Sequence, residues 1–151
     1  MNNLIDWLPK NLPSEKRTGI VHGDYSLTNV MIGKNDPNVI AILDWELSTL
    51  GDPCADFNYH CLQYTMNPKL ADKAYCKNQG IPVIDDYVKM YTEKINIDLT
   101  EEWNLYSAYN LFKLAGILQG ILGRVRDGTA AHENAAERAS GVRNLSDKAW
   151  D

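Results

Sequence analysis

Hydrophobic and polar residues follow two different periods along this 151-residue chain, and the change of period separates a strand-like first third from a helical remainder. Short apolar runs bounded by turn residues predict three strands, at Thr18 to Val21, Asn29 to Ile32 and Val39 to Leu43. Gly33 marks the end of the second, and Asp36-Pro37-Asn38 turns the chain between the second and third. These strands are too short for anything but a small, hairpin-built sheet. Ahead of them, Asn2 or Asn3 is placed to cap a short helix through Leu4, Ile5 and Leu8, which Pro9 and Pro13 close off. Beyond them, Asp52-Pro53 is a strong helix start, and the helix is expected to run through Ala55, Phe57, Cys61 and Leu62 towards Tyr64. Further helices are expected over Lys69 to Asn78, stopped by Gly80, and over Pro82 to Ile95.

The longest helix opens at Thr100-Glu101-Glu102-Trp103, with Thr100 as cap and the glutamates near the positive end of the dipole. Trp103, Tyr106, Asn110, Leu114, Ile117, Ile121 and Val125 recur every three or four residues and Leu111, Leu118 and Leu122 widen the stripe, so this helix is read as core. Ala131 to Trp150 reads as a last surface helix docking through Val142, Leu145 and Trp150. The chain shows no internal repeat.

Composition narrows the function classes. With 44% hydrophobic residues the chain can bury one sizeable core, and a single domain over 1–151 is expected. Fifteen basic against 20 acidic residues give a net charge of -5, with no basic run, which argues against nucleic acid as a partner. Cys54, Cys61 and Cys76 form no metal or disulfide pattern, and the first two lie two helical turns apart, as on one buried face. No apolar run approaches the roughly 18 residues of a membrane span, and the start lacks signal-peptide character, so a cytoplasmic protein is expected.

The candidate chemistry lies where the apolar runs end. His22, Asp24 and Asn29 follow the first strand, and Asp44 follows the third. Kinase-type phosphoryl transfer needs one carboxylate to orient or deprotonate the acceptor hydroxyl. It also needs an amide and a second carboxylate to hold magnesium against the nucleotide phosphates. The kinase catalytic loop runs His-x-Asp, then four residues, then Asn, and His22, Asp24 and Asn29 keep that interval.

These residues carry a family resemblance. The His22-Gly-Asp-Tyr-x-x-x-Asn29 loop, the Ile42-Leu-Asp-Trp-Glu46 strand end and Gly51-Asp-Pro-x-x-Asp56 resemble the aminoglycoside phosphotransferase family. The string from Leu43 to Pro53 is most similar to the branch fused to acyl-CoA dehydrogenases. The resemblance implies an α+β, protein-kinase-like C-terminal lobe, mostly helical, in which a short β-hairpin sheet carries the catalytic loop. It implies ATP or another nucleoside triphosphate as donor, Mg2+ as cofactor and a small-molecule hydroxyl as acceptor. Asp24 would be the base, Asn29 and Asp44 the magnesium ligands in contact with the nucleotide, and His22 a brace for the loop.

Other residues keep two readings. Asp56 either pins the catalytic-loop backbone or solvates a helix turn, with the first preferred. Glu46 either lines the acceptor site or ends a strand, while Tyr25 and Trp45 either wall a substrate or pack. His60 and His132 have no second ligand at metal spacing and read as structural or exposed. The sequence holds neither Gly-x-Gly-x-x-Gly nor a Walker loop, so the family's N-terminal lobe is expected to be absent from these 151 residues and supplied by a missing segment or a partner chain. Little activity is therefore expected of the chain alone. The alternative is a non-catalytic binding or interaction module on a retained kinase-like fold.

Overall fold

The computed structural model describes residues 1–12, 17–129 and 141–150. The helices are α1 (Asn2–Trp7), α2 (Cys54–Met66), α3 (Pro68–Ala71), α4 (Lys73–Asn78), α5 (Ile84–Ile95), α6 (Trp103–Arg126) and α7 (Val142–Trp150), and the strands are β1 (Gly19–Val21), β2 (Val30–Ile32), β3 (Val39–Ile42) and β4 (Thr49–Gly51). Two compact units result: Ser14–Trp103, and Met1–Pro13 with Asn104–Asp151.

In the first of these units the strands form two separate antiparallel ladders, β1 with β4 and β2 with β3. β2 and β3 are a hairpin, closed where the Gly33 N–H donates to the Asn38 carbonyl at 3.0 Å. β4 was not expected, because Thr49-Leu50-Gly51 offers a single large apolar residue between Ser48 and Asp52 where the other strands are apolar runs. It faces β1 in the register Gly19 to Gly51, Ile20 to Leu50 and Val21 to Thr49.

Helix α2 starts as its sequence dictates: the Asp52 carboxylate accepts from the Cys54 N–H at 2.9 Å, beside a proline that has no donor to lose. Its buried residues Cys54, Phe57, Asn58, Cys61 and Leu62 form a core with Cys76 and Leu99, and the Phe57 ring stacks on Tyr91 at 3.7 Å. Fully burying one such side chain stabilises by about 2 kcal/mol. All three cysteines are free and buried.

Local capping chemistry moved two helix boundaries. The helix expected over Lys69 to Asn78 breaks at Asp72, whose extended backbone lets its carboxylate cap the Ala74 and Tyr75 amides at 2.8 and 3.3 Å. Before α6, the Asp98 carboxylate binds the Thr100 N–H and hydroxyl at 2.9 and 2.6 Å, so Thr100 belongs to a turn and does not cap the helix. Glu102, expected to favour the dipole, is instead buried against Arg17, which also pairs with Asp52 at 2.9 Å.

The other unit packs helix on helix. Leu4 and Leu8, then Tyr106, Asn110, Leu111 and Ala115 of α6, then Leu145, Ser146 and Ala149 of α7 are its buried residues, at helical spacing. No asparagine side chain caps α1; Met1 holds the cap position and Ile5 is exposed. The apolar stripe of α6 leaves the core beyond Ala115, with Ile117 exposed, and Trp150 is exposed as well. Gly128, at φ 70°, ends α6 while the Thr129 N–H returns to the Arg124 carbonyl at 2.8 Å. Pro13, His132 and the expected helical residues 131–140 lie outside the described residues. No helix among the described residues is long and apolar enough to cross a membrane.

Candidate functional site

The site is built at two corners, one after β1 and one after β3. At the first, the chain turns through Gly23, whose φ of 84° suits a residue without Cβ. A Cβ there would also lie 2.5 Å from the Leu47 carbonyl oxygen. Asp56, in the first turn of α2, accepts the backbone N–H groups of both His22 and Gly23, the latter at 3.0 Å. Two buried donors that no strand ladder satisfies therefore end on one carboxylate.

The His22 side chain is buried and both ring nitrogens are used. Nε2 lies 2.8 Å from the Leu43 carbonyl and donates to it, while Nδ1 accepts the Asp24 N–H at 3.2 Å. These partners select the Nε2–H tautomer. The ring thus ties the first corner to the residue before Asp44. The Leu43 N–H in turn donates to the Asn29 carbonyl at 2.8 Å, and the Asn29 side-chain N–H group reaches the Asp24 carbonyl at 2.9 Å and its carboxylate at 3.2 Å. Asp24, Asn29 and the strand end that carries Asp44 are joined in one hydrogen-bonded network centred on His22.

The second corner is different in kind. Asp44 adopts φ 68°, ψ 54°, a left-handed conformation that is uncommon outside glycine, and opens a short 3-10 turn, Trp45–Leu47. Its side chain is exposed and caps nothing. Trp45 folds back so that its indole N–H donates to the Ile42 carbonyl at 2.8 Å and its ring meets that of His22 at 4.7 Å. Glu46 is exposed on the same turn.

Tyr25 packs edge-on to His22 and faces His60, with ring centres 6.1 and 5.7 Å apart. Together with Trp45, Phe57, Tyr87 and Tyr91 it lines an apolar cavity of about 430 Å³, with Lys94 on its wall. His60 lies between Tyr25 and Tyr87, its Nε2 3.2 Å from the Tyr87 hydroxyl, and burial lowers its pKa.

Sequence reasoning passed over Tyr59. Its phenol hydrogen-bonds to the Asp24 carboxylate, and burial first, then the Asp24 charge and that bond, push its pKa up to about 12. A tyrosine inside an amphipathic helix reads as packing. The available signal was its place three residues after Asp56, on the same helix face.

Among the described residues no group of three His, Cys, Asp or Glu converges as a metal cage. The donor set present is that of a hard cation held mainly by its other ligands. Asn29 directs its amide nitrogen at Asp24, which leaves the amide oxygen for a cation, and Asp44 offers an exposed carboxylate. Two such oxygens fit magnesium, which keeps several waters and takes phosphate oxygens for the rest.

The chain is 38% identical to acyl-CoA dehydrogenase family member 10 of Mus musculus, covering 100% of this chain and 15% of that protein. With acyl-CoA dehydrogenase family member 11 of Homo sapiens it shares 34% identity over 97% of this chain and 20% of that protein. It therefore spans about a fifth or less of the curated relatives it matches. A crystal structure described as a "putative aminoglycoside phosphotransferase" from Ralstonia eutropha superposes with a TM-score of 0.87 at 42% identity, over 99% of this chain and 47% of that one. The sequence model of the phosphotransferase enzyme family, APH, matches residues 1–105. With that match on top of a kinase-like fold, the chain belongs to the APH phosphotransferase family.

Proposed function

We propose that the chain is the catalytic lobe of a magnesium-dependent kinase that transfers the γ-phosphoryl group of ATP, or of another nucleoside triphosphate, to the hydroxyl of a small molecule. The observation that carries this reading is the His22-centred network, which ties Asp24, Asn29 and the strand end at Asp44 together. In the reaction the acceptor hydroxyl donates to the Asp24 carboxylate and gives up its proton there as its oxygen bonds to the γ-phosphorus. The bond to the β-phosphate oxygen breaks and the nucleoside diphosphate leaves. Asn29 and Asp44 are the residues that would hold magnesium, which when bound supplies charge neutralisation for the phosphates. His22 and Asp56 act on the loop and not on the substrate: they satisfy its backbone so that Asp24 meets the hydroxyl in place, and placement is the main protein contribution in this class. Glu46, exposed beside Asp44, is assigned to the acceptor side. The apolar cavity bordered by Tyr25 and Trp45 supports an acceptor with a carbon-rich portion, such as a hydroxylated acyl compound, over a cationic antibiotic.

The 151 residues hold no glycine-rich phosphate loop, so the remaining nucleotide contacts must come from another segment or chain, and turnover by this polypeptide alone is expected to be low. A second reading, a non-catalytic interaction module, is favoured by one observation. The Ile20–Leu50 cross-strand pair of the β1–β4 ladder is 67% and 74% exposed, an apolar surface suited to a covering partner. Titration with magnesium and nucleotide while following the Trp45 fluorescence separates the two. A saturable response that Asp44→Ala abolishes supports the kinase site; silence in both proteins supports the interaction module.

A further inference from the structure

Helix α2 addresses the catalytic loop through one face. Asp56, Tyr59 and His60 stand at i, i+3 and i+4, the spacing that aligns side chains on a helix. They meet the loop in chain order. Asp56 takes the amides of His22 and Gly23, Tyr59 bonds the carboxylate of Asp24, and His60 packs on the ring of Tyr25. The first contact fixes the backbone, and the second alone acts on the reacting group.

We infer that Tyr59 is a positioning residue for the phosphoryl transfer proposed above: its phenol O–H, presented from α2, holds the Asp24 carboxylate in one rotamer and leaves an oxygen lone pair for the acceptor hydroxyl. An ionised carboxylate has about four acceptor positions, so two donors leave room for a third. The other donor, Asn29, divides its amide NH2 group between two acceptors: it donates to the Asp24 carbonyl at 2.9 Å and, at a longer 3.2 Å, to the carboxylate, while its amide oxygen is wanted for the cation. Tyr59 comes from a helix rather than a loop, and its phenol, with a pKa near 12, remains a donor throughout the physiological range. It is also uncharged, so it orients Asp24 without the strong pull on a bound proton that an arginine or lysine would exert.

The test uses the full 151-residue chain in isotope-labelled form, without metal or nucleotide. Three-bond couplings to the Asp24 carboxyl carbon report its χ1 rotamer directly. The expected result is a one-rotamer pattern in the wild type that Tyr59→Phe converts to an averaged one, while Asp44→Asn leaves it intact. In protein labelled at the tyrosine ring carbon bearing oxygen, the Tyr59 resonance should move in Asp24→Asn and stay put in Asp44→Asn. This second arm holds even if Tyr59→Phe fails to fold. Unchanged Asp24 couplings in folded Tyr59→Phe, or an unmoved Tyr59 resonance in Asp24→Asn, would overturn the inference. The inference rests on the kinase reading, yet the two fail separately. Absence of a magnesium response with these couplings behaving as expected removes the reaction and leaves the Tyr59–Asp24 contact, whereas the reverse pattern removes only Tyr59.

Discussion

The two corners each deliver one aspartate, yet they are constructed in opposite ways. The corner after β1 is buried and over-determined: Asp56, His22, Asn29 and Tyr59 all bond to it, and its left-handed residue is a glycine. The corner after β3 is exposed, its left-handed residue is Asp44, and its side-chain support is the Trp45 indole on the Ile42 carbonyl and the His22 ring on the Leu43 carbonyl. On the proposed reaction the contrast has a reason: a group that is to meet a hydroxyl in one geometry is held before the substrate arrives, whereas a group that is to meet a hydrated cation can wait in solvent, since the cation itself organises the oxygens around it.

That contrast is open to direct attack. The largest effect is expected from Asp56→Ala, which strands two backbone donors at the buried corner and should lower unfolding stability by about 3 kcal/mol. Urea unfolding measures it, and a loss below a third of that would show that the first corner does not depend on α2. At the other corner the sign reverses. Asp44→Gly relieves a left-handed aspartate and should stabilise the fold by up to about 1 kcal/mol while removing the magnesium response. Destabilisation there would mean that the Asp44 side chain is structural.

The smallest effect appears only in alkali. Burial, before any other cause, raises the phenols of Tyr59 and Tyr91 to about 12 from 10.0. Between those values the unfolded chain releases protons that the folded chain keeps. Stability is therefore full below about pH 10 and falls as pH rises toward 12. Measured from pH 9 upward, the fall should be shallower in Tyr59→Phe than in the wild type, and parallel curves would show that Tyr59 contributes nothing to it.

How much of this was legible in the sequence depends on range. Strand ends, the Asp52 cap of α2 and the order of His22, Asp24, Asn29 and Asp44 are encoded over a few residues by apolar runs and turn chemistry. The same local chemistry, read less well, explains the misses at Asp72 and Asp98, where a carboxylate turned back on its own backbone and broke or delayed a helix. Arg17 with Glu102, β1 with β4 and Tyr59 with Asp24 are long-range pairings. For the first two, nothing within a helical turn of either partner announces them, and for Tyr59 the local hint was its place three residues after Asp56. The exposure of Ile117 and Trp150 shows the same limit from the other side, because periodicity names an apolar face without saying whether anything covers it.

Gly23 rests against the Leu47 carbonyl with no space for a methyl group. The exposed turn and the buried loop therefore abut main chain to main chain at this point, beside the contact of the His22 and Trp45 rings. On the proposed reaction, a ligand that nudges the Asp44 turn would push on the peptide that leads into Asp24, gearing capture of the donor's counter-ion to the aim of the proton acceptor.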